Sequence, residues 1–239
     1  MRKLIVYATF ILGALAAALV ATQVAALAPA QAAGDTRFDY KIRSYFFAGY
    51  TGDNAALDKG MKLCEDLLAS DPKNAEALVW HGSGVYFQGV NAFRKGDAQA
   101  GGQLVQRGMK EMDQAVALAP DNLGVRIPRG AFLLTASRNV PDPAIARSLV
   151  ERAVSDLEKA YQVQQSRLDK LGTHPKGELL LGLADGYTRL GQTEKAQPMI
   201  DRILAEMKGS RYEASANLWN EKKSLPANQA GCIGCHVGN

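Results

Sequence analysis

The residues of this chain whose types and spacing best suit chemistry lie at its C-terminal end. Cys232, Cys235 and His236 are two of the three cysteines and one of the three histidines, and they fall within five positions. Two cysteines three positions apart project to one side of a single turn, so both sulfur atoms reach the same group. Two thiols and an imidazole so placed suit attachment of a cofactor, a disulfide or dithiol pair, or part of a zinc site.

The sequence Cys232-x-x-Cys235-His236 resembles the haem-attachment motif of c-type cytochromes. The resemblance implies one covalently attached haem c, with Cys232 and Cys235 as thioether residues and His236 as an axial ligand of the haem iron. A dithiol pair is typical of a thioredoxin-like βαβ context, and a zinc site requires a further pair of ligands; the sequence indicates neither. Both stay open as alternatives to haem.

The composition is that of a folded, helix-rich protein. Hydrophobic residues make up 47% of the 239 positions and charged residues 22%, which excludes wholesale disorder. The net charge of +4 is small and forms no cluster, so no nucleic-acid partner is indicated. The chain has no Gly-x-Ser-x-Gly motif, no phosphate loop and no His-Glu-x-x-His site, and we therefore predict no catalytic residues.

The N-terminus has the three parts of a secretory signal. Arg2 and Lys3 precede a long apolar run over 4–27, and Ala30-Gln31-Ala32 is a small-residue cleavage site. Residues 1–33 are thus predicted to be a signal peptide. The apolar run is also long enough to span a bilayer, so an uncleaved anchor in the inner membrane is the alternative. Either way we expect the remaining chain to be periplasmic or otherwise exported.

Helical periodicity dominates the body of the chain. Apolar residues recur at helical spacing over 37–50, 54–70, 74–89 and 144–167. The chain also repeats itself at an offset of 48 residues, which pairs Gly60 with Gly108, Pro72 with Pro120, and Gly82 with Gly130. A fixed offset indicates duplicated helical hairpins, with glycines where two helices cross closely and prolines at the ends of second helices.

Residues 177–207 resemble a tetratricopeptide repeat (TPR) through a shared spacing of large and small residues: Leu180, Leu183, Ala184, Tyr187, Leu190, Gly191, Ala196, Ile200 and Ile203. The resemblance implies an all-α fold, a TPR-like helical-hairpin solenoid of about four helix pairs over 34–208. A capping helix over 209–225, opened by a capping box at Ser210 and Glu213, and a haem-binding tail over 226–239 complete the prediction.

Two stretches depart from the TPR pattern. The 48-residue offset exceeds the family's 34-residue unit, and we expect the excess over 91–103 to be a lengthened loop or extended helix ends. Pro128 is expected in the first turn of its helix, where a missing N–H costs nothing.

The TPR resemblance also implies a groove that binds a protein partner, either a redox protein or an envelope complex. The inner faces of first helices would line it through Val79, Ser83, Tyr86, Phe87, Ile127, Ala131, Leu134, Leu181, Asp185 and Arg189. The alternative is that about half of these residues only complete the core.

Only three residues follow His236, so a distal haem ligand comes from upstream or from another chain, or is missing. His174, expected in a loop before Pro175, is the candidate, with a solvent-exposed histidine as the alternative. We expect His81 to be a packed structural residue and Cys64 a buried thiol.

Together these features predict an exported electron-transfer or redox-partner binding module with one haem c. The alternatives are a periplasmic interaction scaffold without haem, in which Cys232 and Cys235 form a disulfide, and a haem enzyme or sensor with an open sixth site.

Overall fold

The computed structural model describes residues 37–226, which are helical and contain no strand in that range. The predicted signal peptide and the tail beyond Pro226 lie outside the described residues. The all-α prediction is confirmed for this part of the chain. The described helices are α1 (Phe38–Tyr50), α2 (Asn54–Ser70), α3 (Ala75–Arg94), α4 (Ala98–Leu118), α5 (Leu123–Ala136), α6 (Pro143–Gln164), α7 (Thr173–Arg189), α8 (Thr193–Glu206) and α9 (Arg211–Lys222), with 3₁₀ turns at Ser137–Asn139 and Gln165–Lys170.

Short polar residues set where the helices begin. The side chain at the N-cap accepts a hydrogen bond from a first-turn N–H in six helices, through Asp53, Asn74, Asp97, Asn122, Asp142 and Ser210. In α9 the predicted capping box takes a shifted form, because the Glu213 carboxylate accepts from the N–H of Gly209 at 2.6 Å. These local signals divide the chain into short helices joined by tight turns.

Consecutive helices pack in pairs, α1 with α2, α3 with α4, α5 with α6, and α7 with α8. Each odd-numbered helix also contacts the next odd-numbered helix, and α9 packs against both α7 and α8. The buried residues form one continuous hydrophobic cluster from Ile42 to Leu225. The odd-numbered helices therefore form one wall of the molecule.

Glycines lie where paired helices approach most closely, as predicted. A Cβ atom added to Gly108 of α4 would lie 2.5 Å from the carbonyl oxygen of Gly82 in α3, and one added to Gly82 would lie 2.8 Å from that of Gly108. Gly130 of α5 occupies the corresponding contact with Leu157 of α6, at 3.1 Å. The 48-residue offset thus marks helix crossings.

The expectations for the two stretches that depart from the TPR pattern have different outcomes. The stretch 91–103 consists of extended helix ends, because α3 continues to Arg94 and α4 begins at Ala98. The expectation that Pro128 lies in a first turn is wrong, since it falls in the second turn of α5. The helix continues across it, and Arg126 and Arg129 on either side bind Asp156 of α6.

A buried ion cluster, which no local sequence pattern signals, holds α5 on α6. Asp156 of α6 has no exposed surface and accepts hydrogen bonds from Arg126 at 2.6 Å and from Arg129 at 2.6 and 3.0 Å. Arg129 also donates to Asp113 of α4 at 2.8 Å. The bidentate geometry satisfies a charge that would otherwise be costly to bury.

The structural assignments of His81 and Cys64 are confirmed. His81 is buried, and its Nδ1 lies 2.6 Å from a carboxylate oxygen of Glu111, which joins α3 to α4. Cys64 is fully buried in α2, and burial raises the pKa of its thiol to about 12. A neutral buried thiol of this kind is unreactive.

The close crossing of α3 and α4 predicts that Gly108→Ala destabilises the protein by about 1–3 kcal/mol, because the added methyl group meets backbone atoms that cannot move aside. Gly102→Ala is the matched control on the same helix, where an added Cβ meets nothing within 4 Å. That variant should be neutral or more stable by up to about 1 kcal/mol. Denaturant unfolding measures both, and equal effects of the two substitutions would contradict the crossing.

Candidate functional site

The predicted haem residues Cys232, Cys235 and His236 lie outside the described residues. Within the described part, the candidate site is a cavity of about 430 Å³. Residues of α1, α3, α5, α6 and α7 line it, together with the 3₁₀ turn after α6. A volume of this order is typical of small-molecule and cofactor sites.

One wall of the cavity is aromatic. Phe47 and Tyr50 of α1, Trp80 of α3 and Phe132 of α5 line it. The ring centroids of Phe47 and Trp80 are 5.9 Å apart, and those of Tyr50 and Phe132 are 5.5 Å apart. Rings at these separations attract one another beyond their burial alone. The wall is consequently a rigid apolar surface held by three different helices.

Hydrogen bonds join the polar groups of this wall, except for one buried N–H donor. The Tyr50 hydroxyl donates to Ser83 at 2.6 Å, and the Ser83 hydroxyl donates to the Trp80 carbonyl oxygen at 2.7 Å. Burial raises the pKa of Tyr50, so its phenol stays neutral. The buried indole N–H of Trp80 has no hydrogen-bond partner among the described residues. A buried donor without an acceptor costs about 1–3 kcal/mol.

The rim of the cavity carries guanidinium groups. Arg37 binds both carboxylate oxygens of Asp39, at 2.9 and 3.0 Å. Arg43 stacks on the ring of Tyr40 at 4.4 Å, and Arg167 is exposed. Neither Arg43 nor Arg167 forms an ion pair with a residue in the described range. Two cationic groups at the rim are therefore available to an anionic ligand.

His174 also lines the cavity, and its expected loop position is wrong. It lies in the first turn of α7, because Pro175 at the third helical position is tolerated there. Its Nδ1 is 2.8 Å from the hydroxyl oxygen of Tyr212 in α9. That hydroxyl donates to Glu178 at 2.8 Å, and burial together with the Glu178 charge raises the pKa of Tyr212. The imidazole is thus held by a neutral phenol.

The predicted groove residues fall into three groups. Four line the cavity: Ser83, Ile127, Ala131 and Leu134. Four others are buried and do not line the cavity: Val79, Tyr86, Leu181 and Asp185. The remaining two are half-buried and lie outside the cavity lining: Phe87 and Arg189. The cavity therefore coincides with part of the predicted groove.

Asp185 belongs to a second buried ion cluster. It lies 2.6 Å from Arg138 of the first 3₁₀ turn and 3.7 Å from Arg189. Burial raises the pKa of its carboxyl, and the two arginines only partly oppose that rise. Arg189 in turn donates to the Leu134 carbonyl oxygen at 2.8 Å. This cluster joins α7 to the end of α5 rather than presenting charge to a ligand.

Several lining residues escape the sequence prediction. Tyr50, Phe47 and Arg43 belong to α1, whose helical pattern is evident but whose contact with α5 is not. Trp80 lies in the helix predicted over 74–89 but is not among the predicted groove residues, and Arg167 follows the end of α6. The sequence did contain one signal for these residues. Helix α1 is rich in aromatic and basic residues, and its polar face carries arginines beside an exposed tyrosine.

The cavity lining combines apolar and aromatic walls with one histidine and three arginines, side-chain types that are also found in haem sites. Haem attachment in this chain additionally requires Cys232 and Cys235, which lie beyond the described residues.

The chain matches no protein-family model, no curated protein and no solved structure. Among residues 37–226, no three histidine, cysteine or carboxylate side chains form a group that could hold a metal ion. In the same range, no helix combines the length and apolar character needed to cross a bilayer.

The hydrogen bond in the aromatic wall predicts the effect of Tyr50→Phe. At pH 7 the variant should be less stable by about 1 kcal/mol, because Ser83 loses its donor in a buried site. The pKa of Tyr50 is raised above the ordinary value of 10.0, so its neutral form stabilises the fold fully below pH 10, and that contribution is lost as pH rises further. The stability difference should therefore narrow above pH 10.

Tyr45→Phe is the control on the same helix, because the half-buried Tyr45 ring stacks under Lys59 at 4.8 Å. It should change the free energy of unfolding by less than about 0.5 kcal/mol at pH 7. Denaturant unfolding at pH 7 and above pH 10 measures these values. A Tyr50→Phe variant as stable as Tyr45→Phe would contradict the role of this hydrogen bond.

Proposed function

We propose that this chain is an exported TPR-like protein that carries one covalent haem c and serves as an electron-transfer or redox-partner binding module. The observation that carries the proposal is Cys232-x-x-Cys235-His236. Cys232 and Cys235 would hold the haem as thioethers: each sulfur would bond to one carbon of a vinyl group, the thiol proton would go to the other carbon, and the C=C bond would become single. The addition would need no net oxidant, and His236 would ligate the iron.

The arrangement of the helices supports the TPR-like part of the proposal. Antiparallel helix pairs joined by short turns are the unit of that family, and the described helices pack in pairs in this way. The close glycine contacts recur at the 48-residue offset. Helices α2 and α4 end directly before Asp71 and Ala119, close to the two prolines predicted to mark the ends of second helices. Stacked pairs would leave the odd-numbered helices to form a binding surface for a protein partner.

The end of α9 supports placing the haem beside this surface. Leu225 is buried, so the chain is held to the body up to that residue. Cys232 follows Pro226 by six positions, and a chain of that length can span at most about 20 Å. A haem attached there would stay within about one helix length of the folded body, as exchange of electrons with a docked partner requires.

The signal-like segment over 1–33 supports export, because haem is attached to such motifs outside the cytoplasm. Export would place the TPR-like body in the periplasm, either released by cleavage or held at the inner membrane. The expected partner is a redox protein or an envelope complex.

Covalent haem is tested by mass and by a thiol count on protein matured with a cytochrome c assembly system. The mature protein should be heavier by one haem and should keep a haem-staining band after denaturation. After reduction and denaturation it should show one reactive thiol, Cys64, because thioether bonds resist reduction. A disulfide would instead give three thiols after reduction.

The double variant Cys232→Ser/Cys235→Ser is the control. It should fold alike, lack the added mass and show no Soret band. Three thiols in the reduced wild-type protein, with no added mass, would refute covalent haem and favour the disulfide scaffold.

A further inference from the structure

The interior of the cavity is apolar beyond its aromatic wall. Aliphatic side chains of α5, α6, α7 and the second 3₁₀ turn complete the lining: Leu123, Ile127, Leu134, Leu157, Leu171 and Leu179. Leu134, Leu157 and Leu179 are each no more than 4% exposed and belong to the continuous hydrophobic cluster. A ligand in this cavity would therefore gain free energy by removing an apolar body from water.

The two carboxylates among the lining residues are each bound to a guanidinium group. Arg37 binds Asp39 at 2.9 and 3.0 Å, and Arg211 of α9 binds Glu178. The Tyr212 hydroxyl also donates to Glu178, at 2.8 Å. Because each negative charge lies beside a positive one, these carboxylates contribute little net charge to the cavity.

Two arginines of the lining leave positive charge that no carboxylate of the described residues compensates. Arg43 of α1 is half-buried and stacks on the ring of Tyr40, and Arg167 is exposed in the 3₁₀ turn after α6. Neither forms an ion pair within residues 37–226. A planar guanidinium group can bind a carboxylate through two parallel hydrogen bonds. The rim is therefore complementary to an anionic head group.

From these observations we propose that the cavity binds a small organic carboxylate with an apolar body, which packs against the aromatic and aliphatic walls while its head group binds Arg43 and Arg167. The cavity of about 430 Å³ suits such a ligand, since small-molecule sites range from about 300 to 1,000 Å³. An organic cation is disfavoured, because it would meet two uncompensated arginines. The site does not depend on covalent haem, since every residue that lines it lies within 37–182.

Isothermal titration calorimetry of the full-length protein with 2-naphthoate tests the site. This ligand joins a rigid aromatic body to one carboxylate, and 2-naphthamide is a neutral ligand of nearly the same shape. The carboxylate should bind one-to-one and about tenfold more tightly than the amide, because only the carboxylate forms charged hydrogen bonds with the arginines. No binding of 2-naphthoate, or equal affinity for the two ligands, overturns the proposal.

Decanoate distinguishes the two sources of an apolar carboxylate, a fatty acid and an aromatic acid. We expect 2-naphthoate to bind more tightly than decanoate, because its flat rings can stack on the rings of Phe47, Trp80 and Phe132. Tighter binding of decanoate would assign the same site to fatty acids.

The role of the arginines is tested by Arg43→Gln/Arg167→Gln. This variant should bind 2-naphthoate about tenfold more weakly and 2-naphthamide as the wild type does, because only the charged contacts are lost. Arg94→Gln, at the exposed end of α3, is the matched control and should leave both affinities unchanged. Unchanged binding of 2-naphthoate by the double variant would contradict the assignment of the head group.

The position of the apolar body is tested by Ala131→Leu, which adds a larger side chain to the cavity lining on α5. It should abolish binding of both naphthalene ligands, because the added atoms occupy the cavity. Ala69→Leu, on the exposed face of α2, is the control and should bind both as the wild type does. Circular dichroism establishes the fold of each variant, and wild-type affinity in a folded Ala131→Leu protein would place the ligand elsewhere.

The two tryptophans of the chain locate the ligand without any substitution. Trp80 lines the cavity, whereas Trp219 lies outside the lining and its indole N–H donates to Thr188 at 2.7 Å. In ¹H–¹⁵N spectra, saturating 2-naphthoate should shift the indole signal of Trp80 and leave that of Trp219 in place. A shift of the Trp219 signal alone would contradict the site.

This site and covalent haem are refuted by different results. Mass reports the haem, and titration reports the cavity. A protein that lacks haem but binds 2-naphthoate through the two arginines refutes the proposed function alone. A protein that carries haem but does not bind 2-naphthoate overturns the ligand site alone.

Discussion

The close crossing of α3 and α4 is the constraint on which the arrangement of the other helices depends. Gly82 and Gly108 bring two backbones into contact, and no larger residue fits at either position. Because α3 lies so deep against α4, its opposite face can contact both α1 and α5. That face contributes Trp80 and Ser83 to the cavity wall. Glycine at both positions lets α3 and α4 pack closely, and the opposite face of α3 then forms part of the aromatic cavity wall.

Charge is used differently in the core and at the cavity. In the core, Asp156 and Asp185 are each surrounded by arginines from neighbouring helices, and these clusters specify how α5, α6 and α7 meet. At the cavity rim, Arg43 and Arg167 are not matched by carboxylates of the described residues. The first arrangement stabilises a unique packing, and the second leaves positive potential at an apolar opening.

The sequence predicts the helices and their crossings well because these follow from local rules. Apolar spacing and N-cap residues define α2 as Asn54–Ser70, and repeated glycines mark the crossings. Cys64 follows from its place on an apolar stripe. The cavity does not follow in the same way, since it depends on α1 meeting α5, a contact between residues far apart in the chain. The expectations for Pro128 and His174 are wrong: Pro128 lies in the second turn of α5, between two arginines that bind Asp156, and His174 lies in the first turn of α7, where the proline after it is tolerated.

The buried state of Cys64 would matter for the exported chain proposed above, which has three thiols. Cys64 of α2 is fully buried, and burial raises the pKa of its thiol to about 12. It therefore presents neither a thiolate nor an accessible sulfur atom. The folded body therefore withdraws one of the three thiols from oxidation and exchange, which would leave Cys232 and Cys235 without a competing thiol. Burial of one sulfur would thus restrict any modification of the folded protein to the other two.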